Sequence, residues 1–440
     1  MDILAQSTYL IIDDSNIIQS ATRAILIKLG VPTNNIVSTA NAREALAACR
    51  DRQFNILLID HDLGRGSTGL QLLEYLRHKT LIKEQALVFI VTGNDSQDIF
   101  YGYSQFEPDG YLIKPICADD IITRVSAGLV RRRFCQSLTQ AFNRNGLADV
   151  KPLFATAPNT SALKEGIIFI ATKLIKKELY DDAFPMLSGL LKHHNYLPAQ
   201  IMLIEIMVAK KQFKPALERI NELMETNKNN IRLLNLKANI CITAEMETEA
   251  EKAMRSALAL NASNIEHSLN LAWLFLSHDN ISHAKPLLLQ LASLLTHSMW
   301  DNSGRRALSV WGELYDLPQN ELKSWRAETA WIRLSNEKQG VITSKGAIKA
   351  IRTLHLLRLD YPDKAKEILS SIIDSEITDV ETGYLICRAY LDLGLLEKFT
   401  QLSESIIAEL ALKDTSLSQL QTFAIRKLKR NETQLLSATS

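Results

Sequence analysis

Short apolar, β-branched runs alternate with amphipathic stretches over the first 130 residues. The runs at 9–12, 35–38, 55–59, 87–91 and 111–113 predict strands. Between and after them, apolar positions at helical spacing predict helices over 16–29, 42–52, 69–78, 97–104 (the weakest) and 119–132. Strict strand–helix alternation implies a doubly wound, five-stranded parallel sheet, an α/β domain. The last helix does not stop there, because Ile121, Val125 and Leu129 continue at helical spacing into Phe134, Leu138 and Phe142. The stretch 144–162 carries Gly146, Pro152, Pro158 and an Asn-Thr-Ser cluster without clean periodicity, which predicts a linker.

Beyond residue 162 the pattern is helical throughout and has an internal period. Ala183, Ala216, Ala250 and Ala284 are separated by 33, 34 and 34 residues, the period of a helix-turn-helix solenoid. Twelve residues before each stand Ala171, Ile204, Ala238 and Ala272, and four after stand Leu187, Ile220, Met254 and Leu288. Small residues let paired helices approach, and the larger ones fill the gap to the next pair. Ala365 and Phe399 are again 34 apart, with Thr353 and Cys387 twelve before them. The 81 residues from Ala284 to Ala365 leave about 13 extra around 300–345, where Trp300, Trp311, Trp325 and Trp331 lie. They either pack an irregular junction or form an exposed aromatic partner site.

Composition narrows the picture. The chain has 440 residues, 46% hydrophobic, with 50 Lys plus Arg against 49 Asp plus Glu, so its +1 balance gives no global reason to bind nucleic acid or anionic lipid. Glycine follows the same division, nine of 17 falling within 1–162. No apolar run reaches membrane-spanning length and the start lacks a basic leader, so a cytoplasmic, non-membrane protein is expected. Cys49, Cys117, Cys135, Cys241 and Cys387 are scattered without a CxxC and are expected as reduced core thiols. The basic runs at 131–133 and 426–430 and the pair His193-His194 read as solvated surface.

Candidate chemistry gathers at the predicted strand ends. Asp13 and Asp14 follow the first strand, Asp60 the third, Thr92 the fourth and Lys114 the fifth. The carboxyl edge of an open parallel sheet is where ligands sit. Converging acids there call for a hard cation, and oxygen-only ligands suit Mg²⁺. A hydroxyl and an ammonium in the same crevice make it fit to hold a phosphoryl group.

The strings Leu-Ile-Ile-Asp-Asp-Ser at 10–15, Ile-Leu-Leu-Ile-Asp at 56–60, Gly-Leu-Gln-Leu-Leu at 69–73, Val-Thr-Gly at 91–93 and Gly-Tyr-Leu-Ile-Lys-Pro at 110–115 stand in this order at those strand ends. Over about residues 5–130 the chain thereby resembles the receiver domains of two-component response regulators. The resemblance implies that Asp60 is the phosphoacceptor and that Asp13 and Asp14, with the backbone carbonyl of Asp62, hold Mg²⁺ at Asp60. It further implies that Lys114 and Thr92 contact the phosphoryl oxygens, that Tyr111 changes rotamer with Thr92, and that the Lys114–Pro115 peptide is cis. One departure is plain: the family's proline four residues after the acceptor is missing, and Gly69 lies nine residues on instead of eight. The 33–34-residue units resemble tetratricopeptide repeats, without that family's proline and early tryptophan.

The expected organisation is therefore a receiver at 1–132, an extended helix and linker at 133–162, and an all-α tetratricopeptide-like superhelix at 163–440. The implied function is that of a response regulator, not an enzyme beyond its own phosphorylation. A histidine kinase or histidine phosphotransfer protein would load Asp60, and the array would bind a protein partner. The extended helix would couple the two, or would serve as a dimerisation face. The alternatives are a DNA-binding transcriptional regulator with an unrecognised reader, and a receiver-gated helical enzyme such as a phosphatase.

Overall fold

The computed structural model describes residues 3–331 and 344–439, except 65–66, 84, 94–96, 104–105, 107, 297, 328 and 414, with backbone only at 97–98, 101 and 430–439. Arg65 and Gly66 of the loop after Asp60, Ser104 of the fourth predicted helix, 332–343 of the tryptophan-rich segment and the Arg430 side chain lie outside the described residues. The chain forms two compact units, Met1–Leu236 and Lys237–Ser440.

In the first unit, β1 (Tyr9–Ile12), β2 (Ile36–Thr39), β3 (Ile56–Asp60), β4 (Leu87–Thr92) and β5 (Gly110–Ile113) form one parallel sheet in the order β2-β1-β3-β4-β5. The helices α1 (Asn16–Lys28), α2 (Ala42–Asp51), α3 (Gly69–His78) and α4 (Gln97–Tyr103) make the crossovers. Every residue of β1, β3 and β4 is buried, as strands covered on both faces require. Side chains alternate between two cores. Leu10, Ile12, Leu57 and Ile59 pack with Cys49, Leu72 and Tyr103, whereas Tyr9, Ile11, Ile56 and Leu58 pack with Leu26, Ile121 and Val125.

The last helix leaves the sheet as expected. α5 (Ala118–Asp120) passes through a π turn (Ile121–Val125) into α6 (Ser126–Asn145) with right-handed helical dihedrals at both junctions. Gly128 lets it lie close to the sheet, since a Cβ there would stand 2.9 Å from Leu87 Cδ1. The stretch expected as a linker carries α7 (Leu147–Leu153), with Val150 buried, and Asn159, which caps α8 (Thr160–Ile175) by accepting from the Ala162 amide at 2.9 Å. Phe134 and Leu138 of α6 share a core with Ala162, Ile167 and Ile170 of α8. The two backbones meet at Gly166, where a Cβ would fall 2.7 Å from Phe134 Cε1 and 2.8 Å from Leu138 Cδ1.

Charge fastens the same contact. Arg131 Nε lies 2.5 Å from Glu165 Oε2, and Arg132 reaches Glu165 Oε1 at 4.0 Å and Asp109 Oδ1 at 3.0 Å. Asp109 precedes β5 and accepts the Val88 amide through Oδ2 at 2.9 Å. The final helix of the sheet thus also begins the helical packing that follows.

Among the described residues, all regular structure after α7 is helical. α9 (Tyr180–His193), α10 (Leu197–Ala209) and α11 (Phe213–Thr226) complete the first unit, and α12 (Ile231–Thr243) leads into the second. There follow α13 (Glu247–Leu260), α14 (Ile265–Ser277), α15 (Ile281–Leu295), α16 (Ser303–Tyr315), α17 (Gln319–Leu322), α18 (Lys345–Arg358), α19 (Pro362–Ser370), α20 (Val380–Asp392), α21 (Leu396–Ala411) and α22 (Ser416–Thr439). Ala171, Ala183, Ile204, Ala216, Ala250, Ala272, Ala284, Thr353, Ala365, Cys387 and Phe399 are all fully buried at 0% exposure, which bears out the periodic columns.

The turns carry the period too. Glu178, Lys211, Glu245, Asp279, Asp360 and Gly394 have left-handed φ between 57° and 66°, each five residues before its column residue. After each, an amide reaches back five residues to a helix carbonyl, from Leu179 to Leu174, Gln212 to Met207, Met246 to Cys241, Asn280 to Phe275, Tyr361 to Leu356 and Leu395 to Tyr390. This is the Schellman closure of a helix end, repeated through the array, and only Gly394 is the residue type that closure favours.

Within the second unit, α14 is buried from His267 to Ser277, wrapped by α13, α15 and α22. Leu420, Ala424 and Ile425 of α22 are fully buried at 0%, and Gln421 donates to Glu381 Oε1 at 3.2 Å. Trp311, Trp325 and Trp331 are buried and Trp300 half-buried under Arg305, so these tryptophans pack a junction and do not form an exposed partner site. One thiol differs from expectation: Cys49, Cys135, Cys241 and Cys387 are buried, but Cys117 is exposed, its Sγ 2.9 Å from Asp120 Oδ2 in the first turn of α5.

A Cβ at Gly394 meets nothing within 4 Å, so Gly394→Ala isolates the backbone strain of the repeated turn. It should destabilise by about 1–2 kcal/mol in urea unfolding, and Glu245→Gly should not destabilise; equal midpoints for Gly394→Ala and wild type would contradict this reading.

Candidate functional site

The parallel register brings the ends of β1, β3, β4 and β5 to one edge. Asp13 and Asp14 follow β1, Asp60 and Thr92 close β3 and β4, and Lys114 follows β5 with its amide on the Thr92 carbonyl at 2.9 Å. Asp13, Asp60 and Thr92 are buried, Asp14 is exposed and Lys114 half-buried. One carboxylate oxygen from each of Asp13, Asp14 and Asp60 lies within 4.8 Å of the others. Lys114 Nζ stands 2.8 Å from Asp13 Oδ2 and 2.6 Å from Asp60 Oδ2.

The remaining oxygens face backbone donors. The Ser15 amide donates to Asp13 Oδ1 at 2.9 Å and the Asp62 amide to Asp60 Oδ1 at 3.4 Å. Asp62 is exposed on the loop, and its own Oδ1 accepts the Gly64 amide at 3.0 Å. Gly64 has φ +69° and a Cβ there would fall 2.9 Å from Asp14 Oδ2, so this glycine is needed both for the turn and for the space beside the acids.

Burial pushes the Asp60 carboxyl above the usual range, opposed first by its hydrogen bond to Lys114 and then by the Lys114 charge. Burial also disfavours the Lys114 ammonium, but hydrogen bonds and charge from Asp13 and Asp60 outweigh it, and the lysine is held above its ordinary value. Asp60 is therefore a costly buried carboxyl group whose charge leans on the Lys114 ammonium beside it. Three carboxylates facing one ammonium, with oxygen donors only, make a donor set that fits a hard divalent cation.

Tyr111 lies half-buried on β5 with its ring 4.3 Å from that of Phe100, and burial pushes its hydroxyl up to about 12. Its carbonyl accepts Arg124 Nη1 at 2.8 Å, which ties β5 to the π turn. The Lys114–Pro115 peptide is cis. The structure thus brings Asp13, Asp14, Asp60, Thr92 and Lys114 to one pocket, with Asp62 on its loop and Tyr111 on the neighbouring strand.

Sequence reasoning missed Tyr103, which is fully buried at 0% and packs edge-on against both His61, at 5.8 Å, and Tyr111, at 6.5 Å. Its spacing of three from Phe100 on one short helix was the available signal.

A family model described as the response regulator receiver domain matches residues 9–126. Solved structures that align include the chemotaxis protein CheY4 of Vibrio cholerae, 20% identical, covering 28% of this chain and 98% of that one with a TM-score of 0.26. A CheY-like receiver domain protein from Methanospirillum hungatei JF-1 is 28% identical over 29% of this chain and 96% of that one, with a TM-score of 0.26. The signal receiver domain of a modulated diguanylate cyclase from Desulfovibrio desulfuricans G20 is 22% identical over 29% and 96%, again with a TM-score of 0.26. No curated protein matches the chain. The family match and the sheet topology define the N-terminal part as a response regulator receiver domain. Among the described residues no helix is long and apolar enough to cross a membrane.

Because burial raises the Asp60 pKa, its folded form holds its proton to higher pH than the unfolded chain does. Asp60 therefore subtracts stability as pH rises through its unfolded and then its folded pKa. In metal-free buffer, Asp60→Asn should melt a few degrees above wild type at neutral pH, with the gap closing on acidification below the carboxylate range. A gap that widens on acidification would contradict the stated electrostatics.

Proposed function

We propose that the chain is a two-component response regulator in which Asp60 accepts a phosphoryl group and the helical array delivers the output by binding a protein. The observation that carries the acceptor assignment is the Lys114 ammonium, 2.8 Å from Asp13 and 2.6 Å from Asp60, in a pocket of three carboxylates. Asp13, Asp14 and Asp60, with the Asp62 carbonyl, would hold Mg²⁺. When bound, that ion would neutralise carboxylate charge and phosphoryl oxygens.

In the transfer step, a carboxylate oxygen of Asp60 attacks phosphorus in line and the bond from phosphorus to the donor breaks. Lys114 neutralises charge on the equatorial oxygens, and the Thr92 hydroxyl donates to one of them after transfer. The donor is a histidine kinase or a histidine phosphotransfer protein, whose phosphohistidine nitrogen leaves. Phosphorylation brings about two negative charges next to a movable hydroxyl and so biases the Thr92–Tyr111 pair.

For output, residues 1–132 serve as the receiver, 133–162 as the connection and 163–440 as a tetratricopeptide-like array. The helix from Ala118 through Asn145 is the proposed coupling element. Arg124 holds the Tyr111 carbonyl at its start, and the Arg131, Arg132 and Glu165 contacts fix it to α8. Arg132 also pairs with Asp109 beside β5, so a displacement of β5 is passed to the first array helix without a flexible joint between them.

Incubation with ³²P-labelled acetyl phosphate and Mg²⁺ tests the acceptor. Wild type should take up label that is labile to alkali, and Asp60→Asn should lose it. Equal incorporation into both would overturn the assignment.

A further inference from the structure

We propose that a pocket in the second unit binds a free amino acid with an apolar side chain, holding its ammonium at Glu245 and its carboxylate at Arg426 and Lys427. The proposal does not rest on the acceptor reading.

The pocket opens where the ends of α12 and α14, the start of α13 and α22 meet, and it encloses about 800 Å³, within the range of small-molecule sites. Its apolar lining is Cys241, Ile242, Ala250, Leu274, Leu420 and Phe423, the first five buried and Phe423 half-buried. Such a lining takes up an aliphatic or aromatic side chain because that removes apolar surface from water.

The polar lining divides into groups already engaged and groups left open. Ser277 Oγ donates to the Leu274 carbonyl at 2.7 Å, and His278 Nδ1 lies 2.8 Å from the same oxygen. His278 Nε2 stands 2.5 Å from Glu247 Oε2, so that carboxylate has its partner. Glu245, Arg426 and Lys427 line the same pocket, and among the described residues their side chains form no ion pair or hydrogen bond. Glu245 stands on the left-handed turn between α12 and α13, and the two bases stand on α22. One open carboxylate and two open cations thus border a single apolar cavity.

The ligand follows from that set. A fatty acid would leave Glu245 unmatched, and an alkyl amine would leave Arg426 and Lys427 unmatched. The ammonium and carboxylate of an amino acid answer both signs from one carbon, and its side chain meets the apolar lining. The carboxyl end of a peptide is the nearest competitor, but it carries no ammonium for Glu245. Hydrogen bonds between charged groups are stronger than neutral ones, so both ends of the ligand count. The basic run at 426–430, read from sequence as solvated surface, gains a use for its first two members. Because α22 supplies Leu420, Phe423, Arg426 and Lys427, an occupied pocket fastens the last helix to α12, α13 and α14.

The test is isothermal titration of the full chain with L-leucine and with L-phenylalanine, then with the N-acetylated and the amidated form of whichever binds tighter. At least one amino acid should bind with Kd below about 1 mM, a level open to a ligand of this size. Each blocked form should bind about 10-fold or more weakly, the equilibrium equivalent of one charged hydrogen bond. In Glu245→Gln the loss caused by acetylation should vanish, and in the double variant Arg426→Gln/Lys427→Gln the loss caused by amidation should vanish. No binding of either amino acid up to about 10 mM would overturn the proposal. So would equal binding of the N-acetylated form, which would mark a peptide's carboxyl end as the occupant, or variants that weaken every ligand alike.

Discussion

The placement of the Lys114 ammonium between Asp13 and Asp60 is the constraint from which the candidate site follows. Two like charges about 4 Å apart repel by about 4 kcal/mol at the effective dielectric of a protein surface region. Asp13, Asp14 and Asp60 hold oxygens within 4.8 Å of one another, two of those residues being buried. Positive charge supplied at its centre offsets that repulsion. Lys114 supplies it because the parallel pairing of β4 and β5 carries its amide onto the Thr92 carbonyl and its side chain over the two buried acids. The same balance leaves the pocket short of positive charge, which is the condition for taking up a cation and a phosphoryl group together.

The second determinant is mechanical. A glycine at 166 allows α6 and α8 to touch, and Arg131 and Arg132 grip Glu165 at the same level. Through Asp109, Arg132 also holds the edge of β5. Surface ion pairs usually contribute little, but these side chains are between 7% and 29% exposed, and together they specify one geometry. The sheet and the first array helices consequently share a helix, with Phe134 and Leu138 on one core and Ile121 and Val125 on another.

Much of this was legible in the sequence. Central strands such as Ile56–Asp60 and Leu87–Thr92 stand out because burial on both faces demands uninterrupted apolar residues. The acids and the lysine were legible because each closes or follows such a run. The alanine columns were legible because helix contacts admit only small side chains. What stayed hidden is tertiary. Glu178, Lys211, Glu245, Asp279 and Asp360 occupy left-handed turns for which only glycine gives a sequence signal. The ordered stretch from Leu147 to Thr156 looked irregular because Pro152 and Gly146 read as breakers, while its buried Val150 gave no period. The covering of α14 by Leu420, Ala424 and Ile425 depends on a contact more than a hundred residues apart, which periodicity does not encode. Tyr103 was hidden for the same reason, since its partners come from β3, its loop and β5.

The central claim is that charge added at Asp60 is conveyed along α6 to α8. Hydrogen exchange of the intact protein with and without beryllium fluoride and Mg²⁺, a mimic of the aspartyl phosphate, tests it most directly. The account predicts altered amide protection at β4, α4 and β5 and also along α6 and α8, all of it abolished in Asp60→Asn. Changes confined to the pocket, or changes along α6 and α8 that persist in Asp60→Asn, would contradict it.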